Sequence, residues 1–223
     1  MAEQLYGQRY FSIERKEVKP VRDWPPKPNP RYKRAVFLDR DGTINVDTHF
    51  PHKVDSLEFI PKAIDGLRVL SALPLHIIVV SNQEGIALNI FTVEQMSQFN
   101  TELRTKTKHA GARIDAFYFC PHVEAKHLPP RVSPCECSKP SPGMLLEAAK
   151  EFQLDLSQSF VVGDKTSDIA AGEAVGCVTI LLKTGKAGRE EGALPVKPKY
   201  FVRDLYQATM VIRSYFGYEP PTK

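Results

Sequence analysis

The chain has 223 residues, 42% hydrophobic and 25% charged, a balance that fits one well-cored α/β domain and excludes a disordered or fibrous protein. The net charge of +4 is concentrated at the start: residues 1–34 hold nine Lys/Arg against four Asp/Glu, and the remainder holds 21 against 22, so the body has no general basic excess of the kind that grips nucleic acid. No apolar run reaches the ~18 residues a membrane helix needs, and the opening MAEQLYGQRYFSIERK has no apolar signal core; both features point to a soluble, cytoplasmic protein.

Residues 1–34 contain five of the eighteen prolines, including the run WPPKPNP, with neither helical nor strand periodicity, and are expected to form a Pro-rich basic arm. Over 35–223, short apolar runs alternate with amphipathic stretches. In order they are AVFLD, IPKAIDGLRVLSAL, LHIIVVS, FTVEQMSQFNTELRTKTK, IDAFYFC, GMLLEAAKEFQ, SFVVGD, DIAAGEAVG, CVTILLK, YFVRD and LYQATMVIRSYF. Strands alternating with helices predict an α/β fold with a doubly wound, mostly parallel sheet. In such sheets ligands sit beyond the carboxyl ends of the strands.

The first of these ends carries two carboxylates, Asp39 and Asp41, before a Gly-Thr turn. One can attack phosphorus while the other gives a proton to the leaving oxygen and later takes one from water. Like charges at nucleophile and phosphoryl group call for a cation between them, and Mg²⁺ suits oxygen ligands. Asp and Gly alone would equally shape a plain turn. The next strand ends in Ser81-Asn82-Gln83, where a hydroxyl and backbone N–H can hold phosphate oxygens. Lys139 precedes a helix opened by Pro142 and Gly143 and can neutralise phosphate charge. The strand FVVGD ends in Asp164, with Asp168 four residues on. A carboxylate at a buried strand end is costly unless paired or metal-bound, so Asp164 is expected to be a further Mg²⁺ ligand beside Asp39.

Cys120-Pro-His122 and Cys135-Glu-Cys137, twelve residues apart, supply three thiolates and an imidazole. Four such ligands complete a tetrahedral Zn²⁺ site with no open position, predicting a structural zinc loop over 120–137. Cys177, inside AVGCVTILL, reads as a core thiol, and His76 and His127 are given no role.

The segments DRDGT, SNQ, the lysine of CSKP and VGDKTSD, in that order at strand ends, resemble the four motifs of the haloacid dehalogenase (HAD) superfamily. FLDRDGTIN, SNQEGIA, FCPH and CECSKPSPGML resemble in particular the D-glycero-D-manno-heptose 1,7-bisphosphate phosphatase subfamily, with the histidinol-phosphatase group related. The match spans about Ala35 to Arg203. It implies a HAD-like Rossmannoid fold and a Mg²⁺-dependent phosphoric monoester hydrolase acting on a small phosphorylated metabolite. Asp39 would be the nucleophile, and Asp41 the acid/base that also ligates Mg²⁺ through its backbone carbonyl. Asp164 would be the remaining acidic ligand, with Ser81, Asn82 and Lys139 on the phosphoryl group. Gln83 belongs to the same binding string, and Lys165 and Asp168 would support the site. Arg40 would contribute backbone to the pocket, and His52, which aligns with a histidine of the subfamily, would be a substrate contact. The subfamily also carries a Cys-x-His and Cys-x-Cys zinc loop here.

Two strings depart from the subfamily: Ser138 stands where an arginine usually precedes the motif lysine, and GIALNIF replaces a GIA-Arg-Gly continuation. Residues 84–138, between SNQ and Lys139, hold a helix, a strand and the zinc loop, leaving no room for a large cap domain. The expected substrate is a heptose bisphosphate, cleaved at carbon 7 by a monomeric enzyme. Histidinol phosphate or another small monoester is the alternative, then a nucleic-acid 3′ end. A degenerate, non-catalytic binding protein is disfavoured because both aspartates and the motif lysine are present.

Overall fold

The computed structural model describes residues 21–22, 28–123, 127 and 135–218. Seven strands form one sheet: β1 (Val21–Arg22), β2 (Ala35–Leu38), β3 (His76–Asn82), β4 (Ala116–Cys120), β5 (Phe160–Gly163), β6 (Val178–Leu182) and β7 (Tyr200–Val202), in the order β1-β4-β3-β2-β5-β6-β7. Six strands run parallel, and β1 pairs antiparallel with β4. Most of the expected Pro-rich arm lies outside the described residues. Val21 and Arg22 nevertheless enter the sheet opposite Phe119 and Tyr118, and Tyr32 packs edge-on against His76.

Burial explains the strand sequences. Both sheet faces are covered, so β2 and β3 read as continuous apolar runs rather than alternating ones. Alternate residues still point to opposite layers. Val36, Leu38, Ile77 and Val79 join Leu67 and Leu70 of α1 (Ala63–Ser71), Phe99 and Leu103 of α2 (Val93–His109), and Leu205 and Ile212 of α5 (Leu205–Ser214). Phe37, Ile78 and Val80 instead join Met144, Leu145 and Phe152 of α3 (Gly143–Phe152) and Ala171 of α4 (Thr166–Glu173). Each large side chain buried this way contributes about 1.5–3 kcal/mol.

The helix ends follow from local chemistry. Thr92 caps α2 by accepting from the Gln95 backbone N–H, while the Gln95 side chain accepts from the Thr92 N–H, and Lys106, Lys108 and His109 occupy its last turn. Asp204 caps α5 by accepting from Gln207.

From β2 the chain winds through β3 to β4, then returns past β2 to β5 and continues outward to β6 and β7. Strand order therefore reverses at the β2/β5 pair, where a doubly wound sheet opens its ligand crevice. The segment 84–138 holds α2, β4 and the Cys/His group, as a fold without a large cap requires. No helix among the described residues is long and apolar enough to cross a membrane.

Candidate active site

Asp39 follows β2 and Asp164 follows β5, so the two neighbouring strands at the crevice each deliver a carboxylate. One carboxylate oxygen from each of Asp39, Asp164 and Asp168 lies within 4.8 Å of the others. Asp39 Oδ2 and Asp164 Oδ1 are buried with no hydrogen-bond partner among the described residues, while Asp164 Oδ2 accepts from the Lys186 N–H at 2.7 Å. Buried, unpaired carboxylate oxygens are costly, and an oxygen-rich cradle of this kind fits a hard divalent cation. Gly42 makes the approach possible: at φ +90° its missing Cβ would fall 2.4 Å from Asp164 Oδ2. The Asp41 side chain lies outside this group, as a ligand acting through its backbone carbonyl would.

Lys139 reaches into the same cluster. Its Nζ donates to Asp39 Oδ1 at 2.9 Å and to the Val80 carbonyl at 2.8 Å, and pairs with Asp168 at 2.6 Å. Burial pushes the ammonium down, but the charges of Asp168 and Asp39 outweigh it and hold Lys139 above its ordinary value. For Asp39 burial pushes up, and Lys139 and Lys165 together hold the carboxyl below its usual value. For Asp164 burial, then the charges of Asp39 and Asp168, outweigh the opposing Lys165 charge and Lys186 N–H and push it up to about 8. Lys165, at the start of α4, is held charged by Asp39, Asp164, Asp168 and Asp41 against the effect of burial. Asp168 ties the helix start to this network by accepting from the Lys165 N–H at 3.1 Å.

The other predicted residues take distinct places. Gln83 bridges Ser81 Oγ at 2.6 Å and Asp41 Oδ2 at 3.0 Å. Asn82, expected on the phosphoryl group, uses its carboxamide to clamp the Lys139 backbone, accepting from its N–H at 2.9 Å and donating to its carbonyl at 3.0 Å. His52 stacks on Phe91 at 4.9 Å and bonds the Phe50 carbonyl through Nδ1. Ser138 is buried, and its Oγ has no partner among the described residues.

Arg40 departs most from expectation. Its side chain, read from sequence as incidental, is fully buried and makes a two-pronged contact with Asp41. His127, given no role, meets Glu84 at 2.9 Å. An arginine between two carboxylates is visible in sequence; the partners that turn it inward are not.

Cys120, at the end of β4, joins His122, Cys135 and Cys137 in one group whose ligand atoms lie within 4.8 Å of one another. The sulfur pairs are 3.1–3.4 Å apart, and His122 Nδ1 is 3.3 Å from the sulfurs of Cys120 and Cys137. Three soft donors and an imidazole converging on one point fit a tetrahedral metal. Most of the intervening loop lies outside the described residues.

Known proteins bear out the class first. A HAD-hydrolase-like family model matches residues 136–208. A solved D,D-heptose 1,7-bisphosphate phosphatase from B. bronchiseptica, complexed with magnesium and phosphate, shares the fold with TM-score 0.72, 24% identity and coverage of 81% of this chain and 98% of that one. A putative HAD-like phosphatase from Mesorhizobium loti gives 0.68, with 28% identity over 88% and 92% of the two chains. Among curated relatives, the D-glycero-β-D-manno-heptose-1,7-bisphosphate 7-phosphatase of Pasteurella multocida is 41% identical over 162 residues, covering 72% of this chain and 87% of the relative. The protein of the same name from Yersinia pestis is 40% identical over 159 residues, 71% and 85% of the two chains. The chain belongs to the HAD superfamily and, within it, to the family of D-glycero-β-D-manno-heptose-1,7-bisphosphate 7-phosphatases.

Proposed function

We propose that this chain is a Mg²⁺-dependent phosphatase that removes the 7-phosphate of D-glycero-D-manno-heptose 1,7-bisphosphate through a phosphoaspartate on Asp39. The chemistry is carried by one observation: Asp39 Oδ2 and Asp164 Oδ1 are buried and unpartnered among the described residues, at the point where strand order reverses. The substrate rests on the relatives' names and on their identity across about seven-tenths of the chain.

Asp39 Oδ2 attacks phosphorus, and the bond from phosphorus to the carbon-7 oxygen breaks as that oxygen takes the proton of Asp41. Water then adds to phosphorus and gives a proton to Asp41, and the bond to Asp39 breaks, releasing phosphate and restoring both residues. Mg²⁺, when bound, supplies the positive charge that lets a carboxylate approach a phosphoryl group; Asp39, Asp164 and the Asp41 backbone carbonyl would hold it. Lys139 takes charge from the phosphoryl oxygens, and its pairing with Asp168 fixes where it points. Ser81 and the backbone at Asn82 bind the phosphoryl group, Gln83 aligns Ser81 with Asp41, and Lys165 and His52 contact the substrate.

Cys120, His122, Cys135 and Cys137 hold a structural Zn²⁺. With four protein ligands the set would leave no open position on the metal, which would then serve structure rather than activate water. Residues 35–223 form the catalytic unit, with 1–34 an arm outside the reaction. The enzyme acts as a monomer in the cytoplasm on a small sugar phosphate rather than on nucleic acid.

Phosphate release from heptose bisphosphate, fructose bisphosphate, histidinol phosphate and a 3′-phosphorylated oligonucleotide, with and without Mg²⁺, tests this reading. We expect Mg²⁺-dependent turnover with kcat/KM for heptose bisphosphate at least ~10²-fold above the others, the discrimination buried polar contacts supply. Flat activity, or preference for the oligonucleotide, would reject the substrate.

A further inference from the structure

Asp164 is gripped by the loop that follows β6. Within residues 184–194 the Thr184 hydroxyl donates to the Gly42 carbonyl at 2.7 Å, the Lys186 N–H to Asp164 Oδ2 at 2.7 Å and the Gly188 N–H to the Asp164 backbone carbonyl at 2.8 Å. A Cβ on Gly185, at φ +52°, would run into Asp164 Oδ2, so the loop backbone lies directly on the carboxyl. The two oxygens are thereby made unequal. Oδ2 is taken by the loop, while Oδ1 stays buried and unpartnered among the described residues.

The loop is itself fastened to the helix that starts beside the site. Glu190 Oε1 accepts from the Thr166 N–H at 2.6 Å and from the Thr166 hydroxyl, whose oxygen accepts from the Leu194 N–H at 2.8 Å. Thr166 is the first residue of α4, where backbone N–H groups have no partner inside the helix, and Lys165 before it makes no side-chain cap because an ammonium cannot accept. Glu190, 24 residues on, takes the place of that cap, and its negative charge suits this end of a helix. Asp164 stands two residues before Thr166, so a ring closes from Asp164 to Lys186, along the loop to Glu190, across to Thr166 and back. We infer that Glu190 is a positioning residue for the divalent-cation site: by latching the 184–194 loop to α4, it holds the Lys186 N–H on Asp164 Oδ2 and leaves Oδ1 for the metal. The inference rests on the reading of Asp164 as a metal ligand.

Metal affinity, measured apart from turnover, tests this latch. The full chain, dialysed free of magnesium, is titrated with Mn²⁺, free ion is followed by electron paramagnetic resonance, and bound Mn²⁺ is displaced with Mg²⁺. Wild type is compared with Glu190→Ala, Glu190→Gln, Glu173→Ala and Asp164→Asn. Glu190→Ala should raise the Kd for Mn²⁺ ~10–100-fold, the range for losing a group that orients a metal ligand from outside. Glu190→Gln keeps the acceptor oxygen and loses only the charge assistance, so its Kd should stay within about threefold of wild type. Glu173→Ala releases a second tie at the other end of α4, the Lys197 N–H on Glu173 at 3.2 Å, and should leave the Kd unchanged. Wild-type affinity in Glu190→Ala, an equal loss in Glu173→Ala, or a Glu190→Gln as weak as Glu190→Ala would overturn the inference. If Glu190→Ala fails to fold, Thr166→Val, which loses only the bridging hydroxyl, decides: a raised Kd supports the latch and an unchanged one overturns it. If Asp164→Asn binds Mn²⁺ as wild type does, the metal reading beneath the inference fails; if it binds weakly while Glu190→Ala does not, the latch alone is rejected.

Discussion

At Asp164 the proposed metal, a proton and stability meet. Burial and the neighbouring charges of Asp39 and Asp168 push its carboxyl from 3.8 up to about 8, and Asp168 is pushed up to about 6, chiefly by burial, with Lys139 opposing. An acid whose folded pKa lies above its unfolded value binds a proton in the fold that the unfolded chain has already lost. Between about pH 4 and 8 the folded state therefore carries the extra proton, and metal-free stability falls as pH rises through that window. A cation at the carboxylates takes the proton's place. Mg²⁺ should raise the Tm of metal-free protein little at pH 5 and at least ~2–4 °C more at pH 8, the shift expected from about 1 kcal/mol in a domain of this size. Equal shifts at the two pH values would remove Asp164 from the metal site.

At this scale the sequence told part of the story. Asp39, Asp41, Lys139 and Asp164 were legible because each stands at the end of an apolar run or just before a helix. The clamp of Asn82 on Lys139 joins residues 57 apart, and the contact of Arg40 with Asn100 joins residues 60 apart; neither leaves a local pattern. Asn82 was read as a phosphate contact with the backbone N–H after Ser81 in view; the separate use of its carboxamide on the Lys139 backbone is set by the fold.

Among the elements, the strand ends act together. Asn82 of β3 pairs in register with Cys120 of β4, the Gln83 N–H donates to the Cys120 carbonyl at 2.8 Å, and Cys137 stands two residues before Lys139. The proposed zinc group is thus joined on both sides to the residues that hold the lysine in the crevice. Cys135→Ser removes a thiolate whose sulfur also accepts from the Ser138 N–H at 3.3 Å, so it should loosen the segment leading to Lys139. Because zinc binding is coupled to folding, worth ~10–16 kcal/mol in small zinc peptides, we expect zinc content well below one per chain, a lower Tm and reduced turnover. Full zinc content with unchanged Tm would contradict a structural site. The strands β2, β3 and β5 were plain as apolar runs, and α2 as a long amphipathic stretch. β1 was not, because two residues in a Pro-rich segment carry no period, and their place is set by the free edge of β4.

For the molecule as a whole, double winding places β2 and β5 side by side, and this adjacency assembles a site from residues 39 to 168. Among the described residues no large cap domain is seen, and His52 stacks on Phe91 between two of the loops beyond the strands. The fold class was legible from the alternation of strand and helix. The substrate was not, since no strand or helix pattern encodes it, and it entered through resemblance.

The most direct test of the central claim follows D-glycero-D-manno-heptose 1,7-bisphosphate by ³¹P NMR with wild-type protein and Asp39→Asn, each with Mg²⁺. The account predicts that wild type releases phosphate from carbon 7 and leaves the 1-phosphate intact, while Asp39→Asn, nearly the same in shape but without the nucleophile's charge, is slower by ~10³-fold or more. Loss of the 1-phosphate instead, or wild-type turnover by Asp39→Asn, would contradict it.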